Sequence, residues 1–246
     1  MPPLIQVLRI ENETGRQMAL EVMRAIYRDE KNWVQADEKL VARDEINDPA
    51  ISWFVVTSDG CPAGVLRVLY EPPLDLYESY GLKFLDQSAD LTTLLRQSRI
   101  AEIGRFAVLP DHRRSVLVAV ALMRAAARET VEREFSHYIT DVFEGERHSP
   151  YEFHTRVMGF QLIATHDTGE LNCPNRRLTM LLDIRSAYHR LREEKSWAFR
   201  YLTEGWEPRL HERMKTPAPA GAPPIAEVQA PAPAAAPVTN QRVATL

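Results

Sequence analysis

Apolar and polar residues alternate over residues 4–10, which predicts a first strand. Met18, Val22 and Ile26 then recur with helical spacing, so residues 14–29 read as a helix with Thr14 as N-cap. Residues 37–48 are charged and loop-like. Two β-type runs, 51–57 and 62–69, flank Ser58-Asp59-Gly60, a strong hairpin signal. Residues 71–98 contain Pro72, Pro73 and Gly81 and show no clear period before a short helical patch near 91–95. They read as a long excursion able to cover a substrate site. A strand over 99–109 and a helix over 115–134 with an apolar stripe come next. A strand over 137–143, a short helix over 149–158 stopped by Gly159, strands over 160–165 and 177–184, and a helical segment over 185–213 complete the pattern. This order predicts an α+β fold, an α/β sandwich built on a mixed central sheet.

The pattern gives one domain over 1–184 and a helical extension of it over 185–215. From Thr216 the composition turns to Pro and Ala, from Pro217 and Pro219 to Pro233 and Pro237, with few large apolar groups. Such a stretch buries too little surface to offset its ordering entropy, so 216–246 reads as a disordered tail.

Charge and cysteine usage narrow the class. A formal charge of −4 on 246 residues, with both signs mixed, argues against nucleic acid as the main partner. The longest apolar run, 116–123, is far short of the ~20 residues that span a bilayer, and the N-terminus lacks the features of a signal peptide. Cys61 and Cys173 form neither a zinc spacing nor a disulfide framework, and a cytoplasmic protein is expected. His148 and His154, six apart, do not share a helical face, so no metal site is expected.

Chemistry concentrates in Glu102-Ile-Gly-Arg105-Phe106, followed by a Pro110 stop, Arg113-Arg114 and a helix start at Ser115. A strand with such an ending carries charged groups up to a helix N-terminus able to hold an anion. Strict alternation would put Glu102 and Arg105 on opposite faces. A bulge at Ile103-Gly104 would bring them together and could free an amide to stabilise an oxyanion. Glu102 is either a proton-handling carboxylate or one half of a plain salt bridge with Arg105 or Arg67. Arg67 and Arg105 suit a substrate carboxylate, or else hold Asp44 and the N-terminal segment in place.

These residues resemble a known family. The order of elements and Arg156-Val-Met-Gly159-Phe160 are similar to the fold of the GCN5-related N-acetyltransferases (GNAT), whose mixed sheet is splayed. Tyr27 with Trp33, then Asp44, Gly64-Val-Leu-Arg67 and Glu102-Ile-Gly-Arg105-Phe106 resemble the ordered motifs of autoinducer synthases and of the related long-chain N-acyl amino acid synthases. The likeness covers roughly residues 15–165. Asn47 at the second acidic position, Gly104 in place of Ser, and Tyr70-Glu71-Pro72 after Arg67 depart from makers of homoserine lactones.

The resemblance implies transfer of a fatty acyl group to a small-molecule amine, an amino acid or its derivative, with acyl carrier protein (phosphopantetheine) or acyl-CoA as co-substrate and no tightly bound cofactor. It implies catalytic roles for Glu102 and Arg105, substrate contacts from Arg67, Asp44, Tyr27, Trp33 and Phe106, and a donor-phosphate site at Arg113, Arg114 and Ser115. Val116 and Val118 stand where acetyltransferases carry the glycines of their pyrophosphate loop, which favours the single phosphate of a carrier protein. Basic residues of the last segment, among them Arg185, Arg190 and Arg192, are either a dock for that acidic partner or a solvated face. Two other readings stay open: an acetyl-CoA-dependent N-acetyltransferase, and a non-catalytic acyl-binding protein of the same fold.

Overall fold

The computed structural model describes residues 3–73, 75–86 and 98–215. The helical patch expected at 91–95 and the expected tail at 216–246 lie outside these residues. The strands are β1 (Ile5–Arg9), β2 (Ile51–Ser58), β3 (Cys61–Tyr70), β4 (Lys83–Phe84), β5 (Ile100–Val108), β6 (His137–Phe143), β7 (Gln161–His166) and β8 (Arg177–Asp183). They form one sheet in the order β1-β2-β3-β5-β6-β8-β7-β4. Every neighbouring pair is antiparallel except β5 and β6.

That parallel pair is short. It runs from Ile100 opposite His137 to Glu102 opposite Ile139, after which the two strands part. Thr140 caps the junction by donating its hydroxyl to the Ile103 carbonyl at 2.8 Å. The sheet is mixed and splayed, and the class is α+β, as expected.

Helix α1 (Glu13–Met23) starts one residue before the expected N-cap, because Asn12 rather than Thr14 accepts the Gly15 amide, at 2.9 Å. It runs on into a π-helical stretch, Arg24–Glu30. The charged segment expected to be a loop holds two short turns, α2 (Asp37–Leu40) and a 3₁₀ turn, Asp44–Ile46. At the hairpin, Asp59 and Gly60 have φ of 51° and 83°, the left-handed pair that matches strand twist. The excursion contributes α3 (Asp75–Ser79) and β4, whose two residues pair with β7 at the sheet edge.

Helix α4 (Leu117–Glu132) covers one face of the sheet, packing Leu122, Met123 and Ala126 with Leu66, Val68 and Ile103. Helix α1 covers the other face, with Leu20 and Met23 against Trp53, Val55 and Val65. The last segment is three helices instead of one: α5 (Ile184–Glu193), α6 (Trp197–Leu202) and α7 (Pro208–Lys215). The breaks fall where Lys195 and Gly205 take φ of 51° and 76° and Ser196 caps α6. Leu191, Leu202 and Leu210 from these helices enter the same core as α4. Among the described residues, no helix is long and apolar enough to cross a membrane.

Candidate active site

Where β5 and β6 part, a cleft of about 520 Å³ opens through the seam of the sheet. Its size falls in the ~300–1,000 Å³ range of small-molecule sites. Tyr27, Trp33, Arg67, Glu102, Arg105, Phe106, Arg113, Arg114 and Ser115 all line it, and Asp44 does not.

Glu102, Gly104 and Arg105 reach one face of the sheet through a bulge two residues beyond the expected place. Val65 pairs with Ala107 and Arg67 with Gly104, so Leu66 stands opposite both Arg105 and Phe106. The left-handed conformation is taken by Arg105, with φ 50°, and not by glycine. Gly104 matters for its lack of a side chain, since a Cβ there would lie 2.9 Å from Glu102 Oε1 and 3.3 Å from Arg67 Nη2. The space it leaves is where that ion pair sits.

Arg67 is buried between two carboxylates, with Nη2 at 3.2 Å from Glu102 Oε1 and Nη1 at 3.2 Å from Glu45 Oε1. Glu45 also accepts the Trp53 indole N–H at 2.9 Å. Asp44, expected as a substrate contact or else held by Arg67 and Arg105, is exposed, and its neighbour Glu45 pairs with Arg67. The 3₁₀ turn decides which of the two adjacent acids points inward. One guanidinium against two carboxylates leaves the group short of positive charge. Burial raises the Glu102 carboxyl above its ordinary value; Arg67 pulls it back, and Asp141 and Glu170 push it further up. A carboxylate poised in this way is suited to accept a proton.

Arg105 donates to Glu170 Oε2 at 3.0 Å and lies 5.8 Å from the centre of the Tyr27 ring. Tyr27 and Trp33 meet edge to face at 5.4 Å, and Trp33 packs on Phe143 at 4.4 Å. Phe106 stacks on Phe153 at 5.8 Å. Tyr77 and Tyr80 bring the described part of the excursion onto the cleft.

At the other end, Arg113 grips Glu30 with both guanidinium nitrogens, at 3.1 and 2.6 Å, and donates from Nε to the Val108 carbonyl. It latches the end of the π-helical stretch to the turn before α4. Arg114 is exposed and has no hydrogen bond or ion pair among the described residues. Helix α4 begins at Leu117 and not at Ser115; Ser115 Oγ accepts the Leu117 amide at 3.3 Å, and Val116 offers no side-chain cap.

Sequence reasoning considered His154 only as a metal ligand. It lines the cleft fully buried, with neither ring nitrogen bonded, among Phe106, Phe153 and Phe160 at 5.4, 5.6 and 4.9 Å. Burial pushes its pKa down to about 3, so the ring is neutral. Glu45, Glu170 and Asp141 were also missed. Only Asp141, an acid inside the apolar run His137–Phe143, carried a signal in the sequence. No group of three or more residues suited to a metal occurs among the described residues.

The splayed sheet, with a carboxylate-bearing cleft at its seam, has the GNAT fold. The family model of the N-acyl amino acid synthase FeeM matches residues 19–176, and the chain belongs to that family. Among solved structures, FeeM from uncultured soil microbes superposes with a TM-score of 0.59 at 14% identity, covering 78% of this chain and 97% of that one. A protein described as a GNAT-family acetyltransferase, from Desulfovibrio desulfuricans, superposes with a TM-score of 0.51 at 12% identity, covering 74% of this chain and 99% of that one. No curated protein sequence matches the chain significantly. The chain is an N-acyltransferase.

Proposed function

We propose that this enzyme moves a fatty acyl group from the phosphopantetheine thioester of an acyl carrier protein to the amine of an amino acid or amino-acid derivative. The observation that carries this reading is Glu102, a carboxylate with a raised pKa at the fork of β5 and β6, beside an apolar cleft. The amine arrives as an ammonium ion, drawn by the surplus negative charge around Arg67. Glu102 takes a proton from it, directly or through a water, and the freed nitrogen attacks the thioester carbon. Amides on the edge of β5 beyond its pairing with β6 suit the oxyanion that forms. As the C–N bond forms and the C–S bond breaks, the nitrogen gives up two protons in all; one ends on the thiol and one leaves to solvent.

Arg105 serves the acceptor carboxylate in this reading. Its present partner, Glu170, is half exposed, and a substrate carboxylate can replace it. Arg114 and the uncapped start of α4 suit one phosphate. The absence of glycine at Val116 and Val118 keeps the backbone from closing on a pyrophosphate, which supports a carrier protein over coenzyme A. Val116 and Leu117, 37% and 40% exposed beside Arg114, give that rim the apolar and basic character a carrier protein needs.

Mass spectrometry of lipid extracts from bacteria overproducing the chain, compared with its Glu102→Gln form, tests the proposal. Long-chain N-acyl amino acids are expected with the unaltered chain, and Glu102→Gln should lower their production by ~10²-fold or more. Arg67 keeps Glu45 as a partner in that variant, so the fold should persist. Acetylated amines in place of long-chain products would overturn the donor assignment.

A further inference from the structure

A second carboxylate meets the cleft from the other arm of the fork. Asp141 of β6 lines it with 24% of its side chain exposed. The carboxylate is fixed from behind on both oxygens. Thr179 donates its hydroxyl to Oδ1 at 2.8 Å, and His166 Nε2 lies 2.9 Å from Oδ2. The His166 side chain is wholly buried, stacked on Tyr80 with ring centres 5.9 Å apart and edge-on to Tyr77 at 5.6 Å.

His166 is itself held in place, its Nδ1 lying 2.7 Å from the Thr168 carbonyl oxygen. Two of the roughly four lone-pair positions of Asp141 are used, which leaves acceptor capacity for a ligand in the cleft.

We infer that Asp141 is a second contact for the acceptor's ammonium group, which lies between Glu102 on one arm of the fork and Asp141 on the other, with His166 as the residue that positions Asp141. This rests on the acyl-transfer reading given above. The two arms supply different things. Glu102 sits in a group with surplus negative charge and takes a proton; Asp141, held by Thr179 and His166, accepts from a second N–H and keeps it in place while that proton leaves. An amine held by one N–H presents its lone pair in a fixed direction, which suits attack on a thioester carbon. The upward push of Asp141 on the Glu102 carboxyl is consistent with two acids facing one small volume.

The test is initial-rate kinetics with a myristoyl-loaded acyl carrier protein as donor and each of the twenty amino acids as acceptor, the best one being used for the variants. Asp141→Asn should raise the acceptor KM by about tenfold or more, as expected for a lost charge-assisted hydrogen bond, with the donor KM unchanged. His166→Gln should raise the acceptor KM less than Asp141→Asn does, again without moving the donor KM. If Asp141→Asn does not fold, Asp141→Glu keeps the charge and displaces it, and the same selective rise in acceptor KM is expected. An acceptor KM within twofold of the unaltered enzyme in a folded Asp141 variant would overturn the inference and leave Asp141 as a tie between β6, β7 and β8. Failure of the unaltered enzyme to acylate any of the twenty would overturn the reading of a free amino acid as acceptor, and this inference with it.

Discussion

His154 shows how much a single side chain can say once its surroundings are known. An imidazole with an ordinary pKa of 6.5 that is held near 3 in the folded chain cannot take up a proton which the unfolded chain takes up readily. Stability is therefore complete above about pH 6.5 and falls as pH drops through the window between the two values, by up to ~1.4 kcal/mol per pH unit. His137, also lowered by burial, acts in the same direction. Glu102 acts in the opposite one: its folded pKa lies above 4.5, so its contribution falls as pH rises from there. His154→Leu should flatten the fall in unfolding free energy between pH 6 and 4 by about one proton's worth, read from urea midpoints across that range. An unchanged slope would mean that His154 is not a buried neutral ring. At this scale the sequence was informative where chemistry contradicts its setting, as with Glu102 in a β-type run. It was uninformative between neighbours such as Asp44 and Glu45, since spacing does not say which of two adjacent acids an irregular turn sends inward.

The elements legible in the sequence are those with a period long enough to declare itself: the β2–β3 hairpin, the α4 helix, and β5 to β8 within a residue or two at each end. The π-helical stretches Arg24–Glu30 and Phe153–Met158 were not legible, because their extra residue per turn reflects packing and leaves the apolar spacing almost helical. Two-residue β4 is too short to show alternation, and the breaks within 185–215 depend on caps and left-handed residues inside one amphipathic pattern. Close packing between elements is hidden in a similar way. Gly64 reads as the start of the Gly-x-x-Arg motif, yet a Cβ there would lie 2.7 Å from Val118 Cγ1, 3.0 Å from the Ala107 carbonyl and 3.2 Å from Leu122 Cδ1. Val118 and Leu122 are buried and cannot swing away, so Gly64 sets how closely α4 lies on β3. Gly64→Ala should cost ~1–3 kcal/mol, seen as a lower urea midpoint with the denaturant slope unchanged. A variant as stable as the parent would show that α4 has room to move off the sheet.

Taken as a whole, the molecule is two half-sheets joined at a seam. Among the described strands, the β1-β2-β3-β5 half and the β6-β8-β7-β4 half are paired only through the brief β5–β6 ladder, while α4 and the last three helices share the core of the sheet face opposite α1. The cleft lies at this seam and takes residues from both halves, Glu102 and Arg105 from one and Asp141 and Phe143 from the other. A ligand that fills it bridges the halves and binds only the folded chain, so it must raise the melting temperature. At a hundred times its Kd the gain is ~2.7 kcal/mol, which for a domain of this size corresponds to a shift of ~5–10 °C. Myristoyl-loaded acyl carrier protein should produce such a shift, whereas the unloaded carrier protein and acetyl-CoA at equal concentration should give much smaller ones. The contrast separates the two contributions: the unloaded carrier reports the rim around Arg114 and α4 alone, and the loaded one adds the acyl chain against the apolar wall. A larger shift from acetyl-CoA than from the loaded carrier would mean that the cleft is built for a short acyl group on a nucleotide, and that the valines before and within α4 do not exclude a pyrophosphate.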